Sequence, residues 1–148
     1  DIDTAELFST INMAELNYTQ EDYEGVLTKV RKVAENTVNL YADRVYIELP
    51  KHSTFHDKLQ MLKQRIGNKT IVDAFFEVKG HGNNAAHELN PKDANKENAL
   101  KSLELVYMIL VWFVTEYVDD EIKVSLYDKF LEPEAQERYQ SVSMHSLR

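Results

Sequence analysis

At 148 residues the chain has the length of one domain with a single core. It holds no cysteine, which excludes a disulfide scaffold, a thiol nucleophile and cysteine-ligated zinc. A net charge of −8 argues against a general nucleic-acid coat protein.

The first residues, Asp1-Ile2-Asp3-Thr4, lack the basic-then-apolar layout of a signal peptide. Together with the missing cysteines this gives a cytoplasmic expectation. The absence of a starting Met fits a trimmed chain or a piece of a longer protein. Strand and hairpin signals are almost missing, and helical spacing recurs instead.

A first amphipathic segment is predicted over Thr4 to Leu16, with Leu7, Phe8, Ile11 and Leu16 as its apolar side. Thr19, followed three residues later by Asp22, predicts the start of a second helix. Its apolar stripe is Tyr23, Leu27, Val30, Ala34, Thr37 and Tyr41. Pro50 and Lys51-His52-Ser53 break the chain before a third helix, which carries Phe55, Leu59, Leu62 and Ile66 and ends at the cap pair Gly67-Asn68.

The run Ile71 to Val78 begins a short, mostly buried fourth helix. Asn90-Pro91 supplies a cap and a first-turn proline for a long helix from about Lys92 to Val118. Within it, Leu105 to Val114 is an uninterrupted apolar run. It is shorter than the roughly 20 residues a membrane span needs, so it reads as a buried core helix, and no membrane partner is expected. Ile122, Leu126 and Phe130 suggest a further short amphipathic piece, and the chain after Pro133 reads as a flexible tail. The expected architecture is an all-α bundle of about four main helices over residues 1–132, with short helical segments at the ends and a tail over 133–148.

Charge is unevenly spread. Residues 1–28 carry seven acids and no Lys or Arg, residues 29–115 carry 13 bases against 10 acids, and residues 116–148 carry eight acids against four bases. A basic middle leaves room for a phosphate-binding face, although helices ordinarily present Lys and Arg to solvent.

The stretch Gly80-His81-Gly82-Asn83-Asn84-Ala85-Ala86-His87 is the most informative one. Loops on a rigid scaffold concentrate function, and two readings stand side by side. In the structural one, Gly80 takes a positive φ to end the preceding helix, Gly82 allows a close backbone approach, and Asn83 or Asn84 caps the next turn. In the functional one, His87 moves a proton while Lys79 and Asn83 steady a phosphate, with no metal. His81 and His87 are six residues apart, unlike the helical zinc pair at i and i+4, so neither metal nor cofactor is expected. Phosphate-loop and nucleophile-elbow motifs are absent.

The stretch Gly82-Asn83-x-Ala85-Ala86-His87, after an apolar helix and before a long one, resembles a bacterial helical domain family similar to the N-terminal helical region of type I restriction enzyme R subunits. That family is grouped with the HEPN superfamily. Three further stretches look like its other signatures: Val26 to Glu35, Phe55-x-x-Lys58-Leu59, and Leu110-Val111-Trp112-Phe113-x-x-x-Tyr117. The resemblance covers residues 20–120.

It implies a helical bundle that accompanies helicase and nuclease modules in restriction and phage-defence proteins. Active HEPN members are metal-independent RNases that use an Arg and a His. Here the His matches His87, Asn83 matches the polar residue inside the motif, and Lys79 stands where the family has Arg. Lys keeps the charge and loses the planar, bidentate grip on phosphate. The resulting expectation is a non-catalytic accessory domain that docks other domains or subunits of a restriction or defence complex, with RNA or DNA contact through the basic middle segment. A HEPN-type RNase using His87 and Lys79 is the alternative, and a stand-alone homodimerising protein is the third reading.

Overall fold

The structure is a computed structural model that describes residues 2–87 and 94–117, with side chains described for 4–80 and 94–117. Among these residues the fold is all-helical. Five helices follow one another: α1 (Ile2–Thr19), α2 (Tyr23–Arg44), α3 (Phe55–Ile66), α4 (Lys69–His87) and α5 (Lys96–Tyr117). The predicted all-α bundle is therefore present. The expected domain limit at 132, the amphipathic piece after Asp120 and the tail lie outside the described residues.

The α1–α2 turn differs in detail from the sequence reading. α1 runs past Leu16 to Thr19, whose hydroxyl donates back to the Leu16 carbonyl at 2.8 Å. Thr19 is thus the end of one helix and not the cap of the next. That role falls to Asp22, whose Oδ1 accepts from the Gly25 N–H at 3.0 Å. A Cβ on Gly25 would collide with this carboxylate, so a larger residue there would push the Asp22 cap aside. Leu7, Ile11 and Ala14 form the buried side of α1, Phe8 is half-buried, and Leu16 faces solvent at 57 % exposure.

α2 is the centre of the bundle and packs on α1, α4 and α5. Its predicted stripe is observed: Leu27, Val30, Ala34, Thr37 and Tyr41 are buried, and Tyr23 is partly so. Thr37 satisfies its buried hydroxyl on the Val33 carbonyl at 2.8 Å. After a loop in which Ser53 folds back onto the Pro50 carbonyl, α3 starts with a reciprocal capping box between Thr54 and Asp57. It ends at Gly67, whose φ of +68° is the left-handed cap that glycine accepts without strain.

α4 begins where the Asn68 side chain accepts from the Ile71 N–H. It is much longer than predicted. Ile71, Ala74, Phe75 and Val78 are its buried stripe, and the helix continues through Gly80 and Gly82 to His87. α5 starts later than predicted, at Lys96, because Asn95 and not Asn90 supplies the cap: its Oδ1 accepts from the Asn98 N–H at 2.8 Å. Asn90 and Pro91 lie outside the described residues. By length and composition α5 could cross a bilayer, yet Leu105 to Val114 is buried apart from Met108, covered chiefly by α2 and α4.

Candidate functional site

The predicted glycine loop is a helix. Gly80 has no positive φ, and a Cβ built on it would meet nothing within 4 Å. Gly80, Gly82 and Asn84 are therefore not loop residues, and Gly80 does not end the preceding helix. The physical reason lies in register. Ile71, Ala74, Phe75 and Val78 hold α4 in the core, and Ala85 and Ala86 are the strongest helix formers at its far end. Glycine in such a helix costs about 1 kcal/mol relative to alanine, less than the burial of Phe75 alone supplies.

This continuity decides how the candidate residues sit. Lys79, Asn83 and His87 follow one another at steps of four, so the backbone places them along one side of α4. Each step rises about 6 Å, and Lys79 and His87 are about 12 Å apart along the axis. The three positions form a line on a helix and not a cradle of backbone amides. Lys79 is half-buried and makes no hydrogen bond or ion pair among the described residues. The side chains of Asn83, Asn84 and His87 lie outside the described ones. Among the described residues no three His, Asp or Glu side chains converge as metal ligands.

The other signature stretches meet one another. Arg31 on α2 lies over the Phe55 ring of α3, 5.6 Å from its centroid, and its Nη1 is 3.8 Å from Glu35. Lys58 on α3 reaches the same carboxylate at 3.3 Å. One acid thus holds two cations, and the cluster fastens α3 onto α2. Arg31 Nε is buried there without an acceptor. The sequence marked these residues as signatures but gave them no role, and spacing within one helix cannot reveal a contact between two.

The fourth stretch builds an aromatic group with α2. Trp112 and Tyr117 lie 5.2 Å and 5.3 Å from Tyr41, and Phe75 of α4 meets Trp112 edge-on at 6.2 Å. The Tyr41 hydroxyl is buried without a hydrogen bond of ordinary geometry. Burial first, then the neighbouring Tyr117 phenol, raises its pKa well above the usual phenol range. Arg44 donates to the Tyr117 carbonyl at 2.6 Å, a basic cap at the α5 end.

These contacts also occupy part of the basic middle. Lys29 is held by Asn17, Arg31 and Lys58 by Glu35, Arg44 by the Tyr117 carbonyl, and Lys69 by Asp73 at 2.8 Å. Five of the middle segment's 13 bases are paired among the described residues, Arg44 and Lys69 of them at the surface. Lys51, Lys63 and Arg65 remain exposed around α3.

One open groove lies elsewhere, between α1 and α2. Glu6, Lys32, Asn36, Asn39, Leu40 and Asp43 line about 300 Å³ of it. No family model, curated protein or solved structure matches this chain.

Proposed function

We propose that this chain is a non-catalytic helical interaction domain of a restriction-modification or phage-defence protein, docking other domains or subunits. The observation that carries this reading is the use to which the signature residues are put. Arg31, Glu35, Phe55 and Lys58 bind two helices together, and Trp112 and Tyr117 pack on Tyr41. They maintain a scaffold. The engagement of Lys29, Arg31 and Lys58 within the bundle also leaves fewer cations for a phosphate backbone than the sequence offers.

The HEPN-type RNase is the second reading, and one observation favours it. Lys79, Asn83 and His87 share one side of α4, so a single phosphodiester lying along that side could meet an acid–base group and a cation. Incubation with single-stranded and structured RNA in EDTA separates the two. The interaction domain leaves both RNAs intact. Cleavage by the wild type that is lost in His87→Ala, with helicity and melting unchanged, would overturn it in favour of the RNase.

A further inference from the structure

The groove between α1 and α2 is lined by the core residue Leu40 and by the polar side chains Glu6, Lys32, Asn36, Asn39 and Asp43. Asn36 and Asn39 are half-buried, and no hydrogen bond among the described residues engages either amide. By contrast, Asn17 bridges Lys29 and Asp22, and Asn68 and Asn95 cap helices. A half-buried amide has donors and an acceptor to satisfy. Two of them three residues apart on one ridge of α2 face the same space.

The groove has a direction. One end lies toward the α1–α2 turn, where Lys29 contacts Asn17. Lys32 stands at this inner end, and Asp43 lies about 16 Å further along α2, at the negative end of that helix's dipole. Glu6 of α1 lines the same space. Seven residues on from Glu6, and hence on nearly the same edge of α1, Met13 is 53 % exposed, with Leu16 beside it at 57 %. Residues 1–28 contribute no Lys or Arg at all. The surface therefore combines the half-buried amides of Asn36 and Asn39 with the acids Glu6 and Asp43, and the exposed Met13 and Leu16 lie further along α1.

From this we propose that the α1–α2 groove docks a basic amphipathic helix of a partner polypeptide. The assignment rests on the interaction-domain reading and names its partner chemistry. A trough between two antiparallel helices accepts the ridge of a third. About 11 residues of helix cover the distance from Lys32 to Asp43. Met13 offers an adaptable apolar contact, Glu6 and Asp43 meet the partner's Lys or Arg, and Asn36 and Asn39 bond its polar flank. A polyanion is repelled by the same acids.

The test uses a short leucine–lysine peptide patterned as an amphipathic helix, with a scrambled peptide of equal composition as control, both titrated into the full chain by calorimetry. The patterned peptide is expected to bind more tightly than the scrambled one, and to weaken as salt rises. The double variant Glu6→Lys/Asp43→Lys is expected to lose at least about tenfold in affinity, and Met13→Ser to lose severalfold. Glu77→Lys/Glu97→Lys changes net charge equally on exposed parts of α4 and α5 and should bind as wild type. Equal losses in both double variants, no loss in the groove variants, or no binding by the wild type would overturn the assignment. If the patterned peptide binds but only Glu77→Lys/Glu97→Lys or the α3 variant Met61→Ser weakens it, the groove is wrong while the interaction reading stands. Failure of the interaction reading shows separately, as cleavage of RNA.

Discussion

α3 and α4 each carry a glycine after a run of buried apolar residues, yet the two glycines do opposite things. Gly67 follows Ile66, takes φ +68° and ends α3, while Asn68 at once caps the next helix. Gly80 follows Val78 and Lys79, and α4 runs on for seven more residues. Both glycines have the same intrinsic freedom. At Gly67 a competing cap and a change of direction use that freedom. At Gly80 the packing stripe of Ile71, Ala74, Phe75 and Val78 overrides it. A glycine permits a helix to stop, and packing with local capping decides whether it does.

Removing the packing that carries α4 past its glycines is the strongest way to break this contrast. Phe75 is fully buried and meets Trp112. Phe75→Ala should cost about 3–5 kcal/mol in urea unfolding, with a loss of helical signal beyond that of Leu59→Ala in α3. A loss under 1 kcal/mol would mean that the stripe is not what holds α4.

Tyr41 probes the same dominance of packing at the aromatic end of the bundle. In the unfolded chain its phenol ionises near pH 10, and in the folded protein burial raises that pKa. Above pH 10 the unfolded chain therefore sheds a proton that the native state keeps. The contribution to stability is whole below pH 10 and drains as pH rises, by at most about 1.4 kcal/mol per pH unit. Tyr41→Phe should flatten this alkaline fall. At neutral pH it should be neutral or mildly stabilising, because the lost hydroxyl has no good partner. A variant as alkali-sensitive as wild type, or clearly destabilised at pH 7, would contradict the buried, unsatisfied phenol.

Much of the fold was legible in the sequence. The stripe of α3 matched burial nearly residue for residue, since 3.6-residue periodicity is a direct imprint of one buried face. The α2 stripe named only half of that helix's buried residues, because α2 packs on α1, α4 and α5 at once. Gly67 was read correctly because a left-handed glycine cap is local, whereas Asn68, read with it as the end of α3, caps α4 instead. Thr19 and Asn90 were misread as caps because better placed residues, Asp22 and Asn95, stood a few positions away and nothing local ranks such competitors.

The candidate site was legible only in part. Steps of four between Lys79, Asn83 and His87 were present in the sequence, but they imply one helix side only once Gly80 is known to be helical. The Arg31–Glu35–Lys58 cluster and the α1–α2 groove depend on which helices become neighbours, and a single sequence does not state that. Lys32, Asn36, Asn39 and Asp43 do share a polar ridge of α2 at helical spacing, a signal that could have marked the groove.

The smallest effect gives the most direct test of helical continuity through the glycine run. Gly67→Ala and Gly80→Ala should be compared by thermal and urea unfolding. Gly67→Ala forces alanine into a left-handed conformation and should destabilise by about 1 kcal/mol. Gly80→Ala adds a methyl group in open space within a helix and should stabilise by about 0.5–1 kcal/mol. Opposite signs are the expected result. Destabilisation of similar size in both would return Gly80 to a loop and dissolve the line of Lys79, Asn83 and His87.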